Sequence, residues 1–172
     1  MKVSIEHLGG VQFEITARQH KIACDQPPEN GGFDEGMTPP ELLLASLGSC
    51  VGSYAAQYLK KHELATEGTK VLVAAEKAKN PPRMDDFQIE VEIPASLNDE
   101  HRAGIVDAIR HCLIHNTLLN APRISLAVKP SAPLTAKELG SAITTSDQKS
   151  CSSCVGSATR TAFNTATKST TS

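Results

Sequence analysis

The stretch Thr38-Pro-Pro-Glu-Leu-Leu-Leu-Ala-Ser-Leu-Gly-Ser-Cys-Val-Gly-Ser-Tyr54 decides the fold of this chain. It opens with clear helix-start signals, because Thr38 can cap free N–H groups, proline is tolerated at the first helical position and Glu41 completes a capping box. From Leu42 to about Leu59 the residues are apolar or small nearly all round, as is typical of a helix in the centre of a fold or between subunits. Small residues on one side of this helix allow another backbone to approach closely: Ser46, Gly48, Ser49, Gly52 and Ser53.

Strand patterns on both sides of this helix predict an α+β fold. Residues 2–24 alternate apolar and polar side chains in three runs, and the Gly9-Gly10 pair predicts a tight hairpin between the first two. Further along, we predict strands over Lys70–Lys77 and Phe87–Ile93, a second helix capped within Ser96–Asp99 and ending at Asn120, and a last strand over Arg123–Val128. The order βββ-α-ββ-α-β predicts antiparallel sheets whose surface is shared by two helices.

The composition is that of an ordinary soluble globular protein. Of 172 residues, 40% are hydrophobic and 21% are charged, with a formal net charge of −2. No basic surplus is present to grip a phosphate backbone, and the aromatic share of 3% offers few surfaces for base stacking, so we expect no nucleic-acid partner. The amino-terminal residues alternate rather than form a signal peptide, and no apolar run approaches the roughly 18 to 20 residues of a membrane helix, so we expect no membrane association.

The composition changes near residue 129. Ser and Thr account for 18 of the last 43 residues, and large apolar side chains nearly vanish. Such a segment buries too little surface to offset its ordering entropy. We therefore predict a folded domain over residues 1–128 and a mobile tail over residues 129–172.

The cysteine pattern predicts a reducing, cytoplasmic compartment. The five cysteines are odd in number and scattered, unlike the dense disulfide framework of a small secreted domain. Cys24, near a strand end, is interpreted as structural. Cys151-Ser-Ser-Cys154 has the spacing of a redox or zinc motif, but neither a strand-to-helix setting nor two further ligands is visible in the tail around it.

The remaining two cysteines, Cys50 and Cys112, fall on the predicted core-facing stripes of the two longest helices. A lone buried cysteine usually behaves as a small hydrophobic residue. Two facing thiols can instead form a redox couple. The sequence does not fix the distance between the sulfur atoms, so both interpretations stay open.

Thiol chemistry requires a thiolate, and an unperturbed thiol with a pKa near 8.5 is only slightly ionised at neutral pH. Cys50 lies too far inside its helix for the positive N-terminal end of the dipole to help, and burial raises a thiol pKa. A cation must therefore be delivered to it, and Arg18, just before the loop that follows the strands, is the candidate. Glu41 can orient Arg18 in addition to capping the helix.

Four segments follow one another along the chain: Asp25-Gln-Pro with Gly31-Gly32, Thr38–Cys50, Asn80-Pro-Pro-Arg83 and His111-Cys-Leu-Ile-His-Asn-Thr-Leu118. Together they resemble the OsmC/Ohr family of osmotically inducible and organic-hydroperoxide-resistance proteins over residues 1–128. The resemblance implies an intertwined homodimer with two central helices, active sites at the subunit interface, and thiol-dependent reduction of organic hydroperoxides without a metal or other cofactor. It further implies that Cys50 is the peroxidatic cysteine, Cys112 the resolving cysteine and Arg18 the activating arginine. The reductant would be an external dithiol, such as a lipoyl or thioredoxin-like protein.

Two departures from the better-characterised branches of that family point to a less characterised branch. An acid usually follows the helix-opening proline directly, whereas Pro40 stands there in this chain and the acid, Glu41, comes one residue later. The pairing of Glu41 with Arg18 is therefore in question. In addition, Leu113 follows Cys112 where proline is common.

Two other functions remain open at this stage. The chain can be a non-catalytic module that holds a small apolar ligand at a dimer interface, its thiols being incidental. Acyl transfer through Cys50 is a further possibility, but it needs a positioned histidine base and an oxyanion site, and the sequence assigns neither. His111 and His115 have the spacing of a metal-binding pair on a helix, but no third ligand is apparent, so we interpret them as surface histidines.

Overall fold

A computed structural model describes residues 1–130 of the chain. Residues Met1–Ile124 form one compact unit, and residues 125–130, which belong to a second unit, have no regular secondary structure. Cys151, Cys154 and all but the first two residues of the predicted tail lie outside the described residues.

The elements in chain order are strands β1 (Ser4–Gly9), β2 (Gln12–Ala17) and β3 (His20–Cys24), helix α1 (Pro39–Lys61), strands β4 (Lys70–Lys79) and β5 (Pro82–Glu92), and helices α2 (Asp99–Arg110) and α3 (Leu113–Leu119). The α+β class and the antiparallel strand arrangement are confirmed.

The first three strands form an antiparallel sheet in the order β1-β2-β3. The predicted hairpin between β1 and β2 is confirmed, with Gly9 paired to Gln12 and a positive φ of 53° at Gly10. Ile5, Ile15 and Ile22 lie side by side across the sheet. Because directly opposite residues share a face, these side chains give the sheet one apolar surface.

Helix α1 begins with the predicted capping box, in which the Thr38 hydroxyl accepts from the Glu41 backbone N–H and the Glu41 carboxylate accepts from the Thr38 backbone N–H. Its small residues divide between two sides. A Cβ atom on Gly48 would lie 3.0 Å from a methyl group of Val73, and one on Gly52 would lie 3.3 Å from Val71. Strand β4 is therefore the element that packs closely against these glycines. The serines lie on the exposed side: Ser46, Ser49 and Ser53.

At 23 residues, α1 is long and apolar enough to span a membrane by length and composition alone. The expectation that no apolar run reaches that length was therefore wrong. The core helix of a globular domain can have the same length and apolar composition. Leu47, Val51, Ala55 and Leu59 of α1 are fully buried, as in such a core helix. These residues anchor α1 against the β4–β5 sheet and α2.

The single second helix that the sequence predicted is two helices, so the placement of Cys112 inside a helix was wrong. Asn98 caps α2, within the predicted segment, but α2 ends at Arg110 and Cys112 is the N-cap of α3. The break is stabilised by side chains, because the amide of Asn116 donates to the backbone oxygen of Arg110 at 3.1 Å and His111 Nδ1 lies 2.9 Å from the backbone oxygen of Asp107. These contacts replace helical hydrogen bonds at the carboxyl end of α2.

The predicted last strand does not form. Residues 121–130 have no regular secondary structure, and Ile124, Leu126 and Val128 are 89–91% exposed. An alternating segment becomes a strand only when its backbone groups pair with a free sheet edge. Within the described residues, no strand is paired with this segment.

Candidate functional site

The Sγ atoms of Cys50 and Cys112 lie 2.6 Å apart, and both cysteines are free thiols. The distance that the sequence left open is therefore short. An S–S bond is about 2.05 Å long, so a bond between these atoms requires an approach of only about half an ångström. The middle of α1 supplies one sulfur and the α2–α3 junction supplies the other.

The two thiols differ in environment. Cys112 is fully buried, and burial is the main reason that its pKa is raised. Its hydrogen bond to Cys50 raises the pKa further, whereas the backbone N–H groups of His115 and Ile114 oppose the shift. Cys112 therefore stays protonated and donates to the sulfur of Cys50, which is partly exposed. This arrangement makes Cys50 the thiol that is able to react first.

Apolar side chains surround the pair. Leu47 and Val51 form a buried cluster with Cys112, and the partly buried Cys50 packs against that cluster. The strand residues in contact with the cluster come from both strands of the second sheet: Val71, Val73, Phe87, Ile89 and Val91.

Two largely apolar grooves lie beside this cluster. One has a volume of about 540 Å³, and its walls include Leu47, Phe87 and Ile89, which also pack around the thiols. The other has a volume of about 420 Å³ and runs between β5 and α2. Ile89 and His115 line both grooves. The first groove therefore shares three wall residues with the cluster around the thiols, but neither cysteine lines it.

Arg18 lies in the turn between β2 and β3, with a positive φ of 57° and an exposed side chain. Among residues 1–130, it forms no hydrogen bond or ion pair with either cysteine or with Glu41. Arg18 therefore makes no hydrogen bond to the thiols within the described part of one chain. Its activating role stays a prediction.

Glu41 acts as a capping residue. Its Oε2 atom accepts from the backbone N–H and from the hydroxyl of Thr38, each at 2.8 Å. These two hydrogen bonds, with a smaller contribution from the charge of Lys77, lower the pKa of Glu41. The carboxylate is therefore ionised and engaged within its own capping box.

A buried carboxylate, that of Asp25, organises the loop before α1, and the sequence prediction missed it. Asp25 is fully buried and accepts from the backbone N–H groups of Gln26, Phe33 and Glu35 at 2.8, 3.0 and 3.2 Å. Burial on its own raises the pKa of this carboxyl, but the backbone hydrogen bonds outweigh it and lower the pKa. The sequence feature that could have predicted this role is an aspartate directly before a Pro- and Gly-rich loop. Such a side chain accepts hydrogen bonds from backbone N–H groups of the following residues. The neighbouring Cys24 is buried, in accord with its structural interpretation, and burial raises its pKa.

His115 was interpreted as a surface histidine, and this was wrong. Its side chain is half-buried, and its Nδ1 atom is buried without a hydrogen-bond partner among the described residues. Its backbone N–H donates to the Sγ atom of Cys112 at 3.5 Å. His111 is exposed and precedes the helix break, so the two histidines do not share one helix. Over residues 1–130, no group of three or more His, Cys, Asp or Glu side chains is arranged to hold a metal ion.

Fold and site together define the class: an α+β protein in which a central helix and a helix junction bring two thiols together beneath an apolar surface. Residues 32–127 match the family model described as OsmC-like protein. Because this match spans more than half of the chain, the chain belongs to the OsmC-like protein family.

Solved structures with the same fold support this assignment. An osmotic stress induced and detoxification response protein from Psychrobacter arcticus 273-4 has a TM-score of 0.63 and 22% identity, with 68% of this chain and 87% of that chain covered. The OsmC like protein from Mycoplasma pneumoniae has a TM-score of 0.57 and 19% identity, covering 70% and 89%. An organic hydroperoxide resistance protein OsmC from Legionella pneumophila has a TM-score of 0.50 and 19% identity, covering 70% and 90%. No curated protein matches the sequence significantly.

Proposed function

We propose that this protein is a thiol peroxidase that reduces organic hydroperoxides in defence against oxidative stress. The observation that carries the proposal is the 2.6 Å separation of the Cys50 and Cys112 sulfurs, one partly exposed and one buried and protonated. The family assignment is consistent with it, since a Legionella pneumophila protein of the same fold is named for organic hydroperoxide resistance. The apolar grooves favour an organic substrate over hydrogen peroxide.

The reaction begins at Cys50. Its thiolate attacks the distal oxygen of the hydroperoxide, an S–O bond forms as the O–O bond breaks, and the leaving alkoxide takes up a proton to become an alcohol. The Cys112 thiol then attacks the sulfenic sulfur, which forms a disulfide and releases water. An external dithiol, for example of a lipoyl or thioredoxin-like protein, reduces this disulfide by exchange and is itself oxidised. A reducing compartment such as the cytoplasm provides that dithiol.

The activating cation is proposed to come from a partner subunit in a homodimer. One chain leaves Arg18 exposed and without a hydrogen bond to the thiols among the described residues, and it leaves the apolar face of the first sheet open, with Ile5 58%, Phe13 37% and Ile22 47% exposed. Burial of this face against a second copy removes apolar area from water. This stabilises the dimer by about 25 cal/mol for each Å² of apolar area buried. Analytical ultracentrifugation should give a dimer for the natural chain and a monomer for Ile22→Lys. A natural chain that sediments as a monomer while still consuming peroxide contradicts this arrangement.

Peptide mass spectrometry after one equivalent of cumene hydroperoxide tests the peroxidase proposal. The natural chain should yield a Cys50–Cys112 bridge. Cys112→Ser should stop at a Cys50 sulfenic acid that dimedone traps, and Cys50→Ser should consume no peroxide. Cys24→Ser is the matched control and should behave like the natural chain. Unchanged peroxide consumption by Cys50→Ser would refute the proposal.

The two apolar grooves also favour a second candidate, a module that binds a small apolar ligand without catalysis. The rate of Cys50 alkylation against pH separates the two. A peroxidase should show a thiol that titrates well below about 8.5, whereas a passive binding module should not.

A further inference from the structure

His115 lies in the first turn of α3, where its backbone N–H donates to the capping residue Cys112. Its imidazole lies where the two grooves meet, and it lines both of them together with Ile89. Its backbone N–H reaches the Sγ atom of Cys112 at 3.5 Å, and that sulfur lies 2.6 Å from Cys50. The ring therefore belongs to a residue whose backbone contacts the resolving thiol.

The Nδ1 atom of this ring is buried and has no hydrogen-bond partner among the described residues. A buried polar atom without a partner costs roughly 1–3 kcal/mol, so such an atom needs an explanation. A rotation of the imidazole about χ2 exchanges Nδ1 with a ring carbon and turns the nitrogen toward a new neighbour. In that orientation, a polar group on a ligand in the groove would supply the missing partner.

The proposed peroxidase reaction has a matching need. When the O–O bond breaks, negative charge develops on the alkyl-bearing oxygen, and an alkoxide is a poor leaving group unless it receives a proton. The other polar side chains of the grooves are unsuited to this task. Arg102 carries a guanidinium that does not give up a proton, Asp85 is paired with Arg83, and Asp86 accepts from Gln88. An imidazole can donate and accept a proton through its two nitrogens.

We propose that His115 is a further catalytic residue, which binds the alkyl-bearing oxygen of the hydroperoxide and protonates the leaving alkoxide. The imidazole donates one proton to the alkoxide as the Cys50 S–O bond forms, and it regains a proton from water. The electron pair of the broken O–O bond leaves on the alkyl-bearing oxygen, while the hydroxyl group is transferred to sulfur. This inference rests on the proposed peroxidase function and adds the acid that its first step needs.

Two classes of peroxide distinguish this role from a structural one. A peracid expels a carboxylate, which is a stable anion at neutral pH and needs no proton. Stopped-flow measurement of the first oxidation of Cys50 should show that His115→Phe loses about 100-fold or more with cumene hydroperoxide, in the range of general acid catalysis, but less than about 3-fold with peracetic acid. Alkylation of Cys50 by iodoacetamide, which also requires no acid, should be equally unaffected.

Control variants keep the test decisive. His111→Gln removes an exposed imidazole four residues away, keeps a side-chain donor near the backbone oxygen of Asp107 and should leave both peroxide rates unchanged. If His115→Phe does not fold, His115→Gln keeps a polar side chain of similar reach that cannot act as an acid, and the same selective loss is expected. Equal losses with both peroxides overturn the role of His115, because they indicate a displaced Cys50. A natural chain whose Cys50 reacts with neither peroxide refutes the proposed function itself.

Discussion

The Sγ atom of Cys112 donates a hydrogen bond to the Sγ atom of Cys50 across 2.6 Å, so the two thiols have different roles before any substrate binds. The donor is the buried thiol whose pKa is raised, and the acceptor is the partly exposed thiol. A hydrogen bond to a thiolate stabilises the charged form of the acceptor. In the proposed reaction the nucleophile therefore lies on α1 and the resolving thiol at the junction of α2 and α3.

This asymmetry predicts the order of alkylation. Under limiting iodoacetamide near neutral pH, Cys50 should be modified at least about 10-fold faster than Cys112, because only the thiolate reacts and the buried thiol is held protonated. Peptide mass spectrometry at successive times gives both rates in one sample. Cys24, which is also buried with a raised pKa, serves as the internal control and should react as slowly as Cys112. Faster labelling of Cys112 than of Cys50 contradicts the assigned roles.

The sequence predicted α1 well because its signals are local. The Thr38 and Glu41 capping box and the apolar run after it require no knowledge of distant residues, and both are present in the structure. The break at Cys112 was missed for the opposite reason. Continuous helical periodicity surrounds that residue, and only side-chain hydrogen bonds from Asn116 and His111 show why the helix ends at Arg110.

Non-local features of the site were less predictable. The apolar stripes indicated that Cys50 and Cys112 face the core, but the 2.6 Å contact depends on how α1 and the α2–α3 junction pack. His115 was misjudged because it packs beside β5, from which the whole of α2 separates it in sequence. The segment Arg123–Val128 shows that alternation alone does not make a strand when no edge is paired with it.

The Asp25 carboxylate predicts a specific pH dependence of stability. Its pKa is lowered in the folded state by the N–H groups of Gln26, Phe33 and Glu35, despite the opposing effect of burial. A lowered folded-state pKa stabilises the fold above the unfolded value of about 3.9, and this contribution is lost as the pH falls through the folded-state pKa. Asp25→Asn should therefore lower the free energy of unfolding at about pH 7 more than at about pH 3.

Urea denaturation at the two pH values measures this difference. Asp34→Asn, an exposed change in the same loop at a residue with a positive φ of 60°, is the matched control and should have little effect, because asparagine tolerates this conformation. An equal loss of stability for Asp25→Asn at both pH values indicates that the carboxylate charge is unimportant for the loop.

Gly104 on α2 is required by the ring of Tyr58 on α1. A Cβ atom at this position would overlap the phenol ring of Tyr58, which stacks on His62 with centroids 4.2 Å apart and lies 3.3 Å from His101 Nδ1 through its hydroxyl. Because these contacts hold the ring, it cannot move aside freely, and Gly104→Ala should destabilise the protein by about 1–3 kcal/mol. Thermal and urea unfolding measure the change.

A Tyr58→Ala background gives the control for this prediction. With the ring removed, Gly104→Ala should become neutral or stabilising by up to about 1 kcal/mol, because alanine has the higher helix propensity. The same destabilisation in both backgrounds places the cause elsewhere than in the α1–α2 contact.

Glu41 provides the sharpest separation between a capping role and a catalytic one. Both of its side-chain hydrogen bonds go to Thr38, and glutamine can accept the same two bonds through its amide oxygen. Glu41→Gln should therefore keep both the unfolding midpoint and the peroxide rate, the latter within about 3-fold. Thr38→Ala removes the cap itself and should lower stability by about 1 kcal/mol. A loss of about 10-fold or more in the peroxide rate of Glu41→Gln, with unfolding unchanged, shows instead that the negative charge of Glu41 serves the reaction, as it would in orienting Arg18.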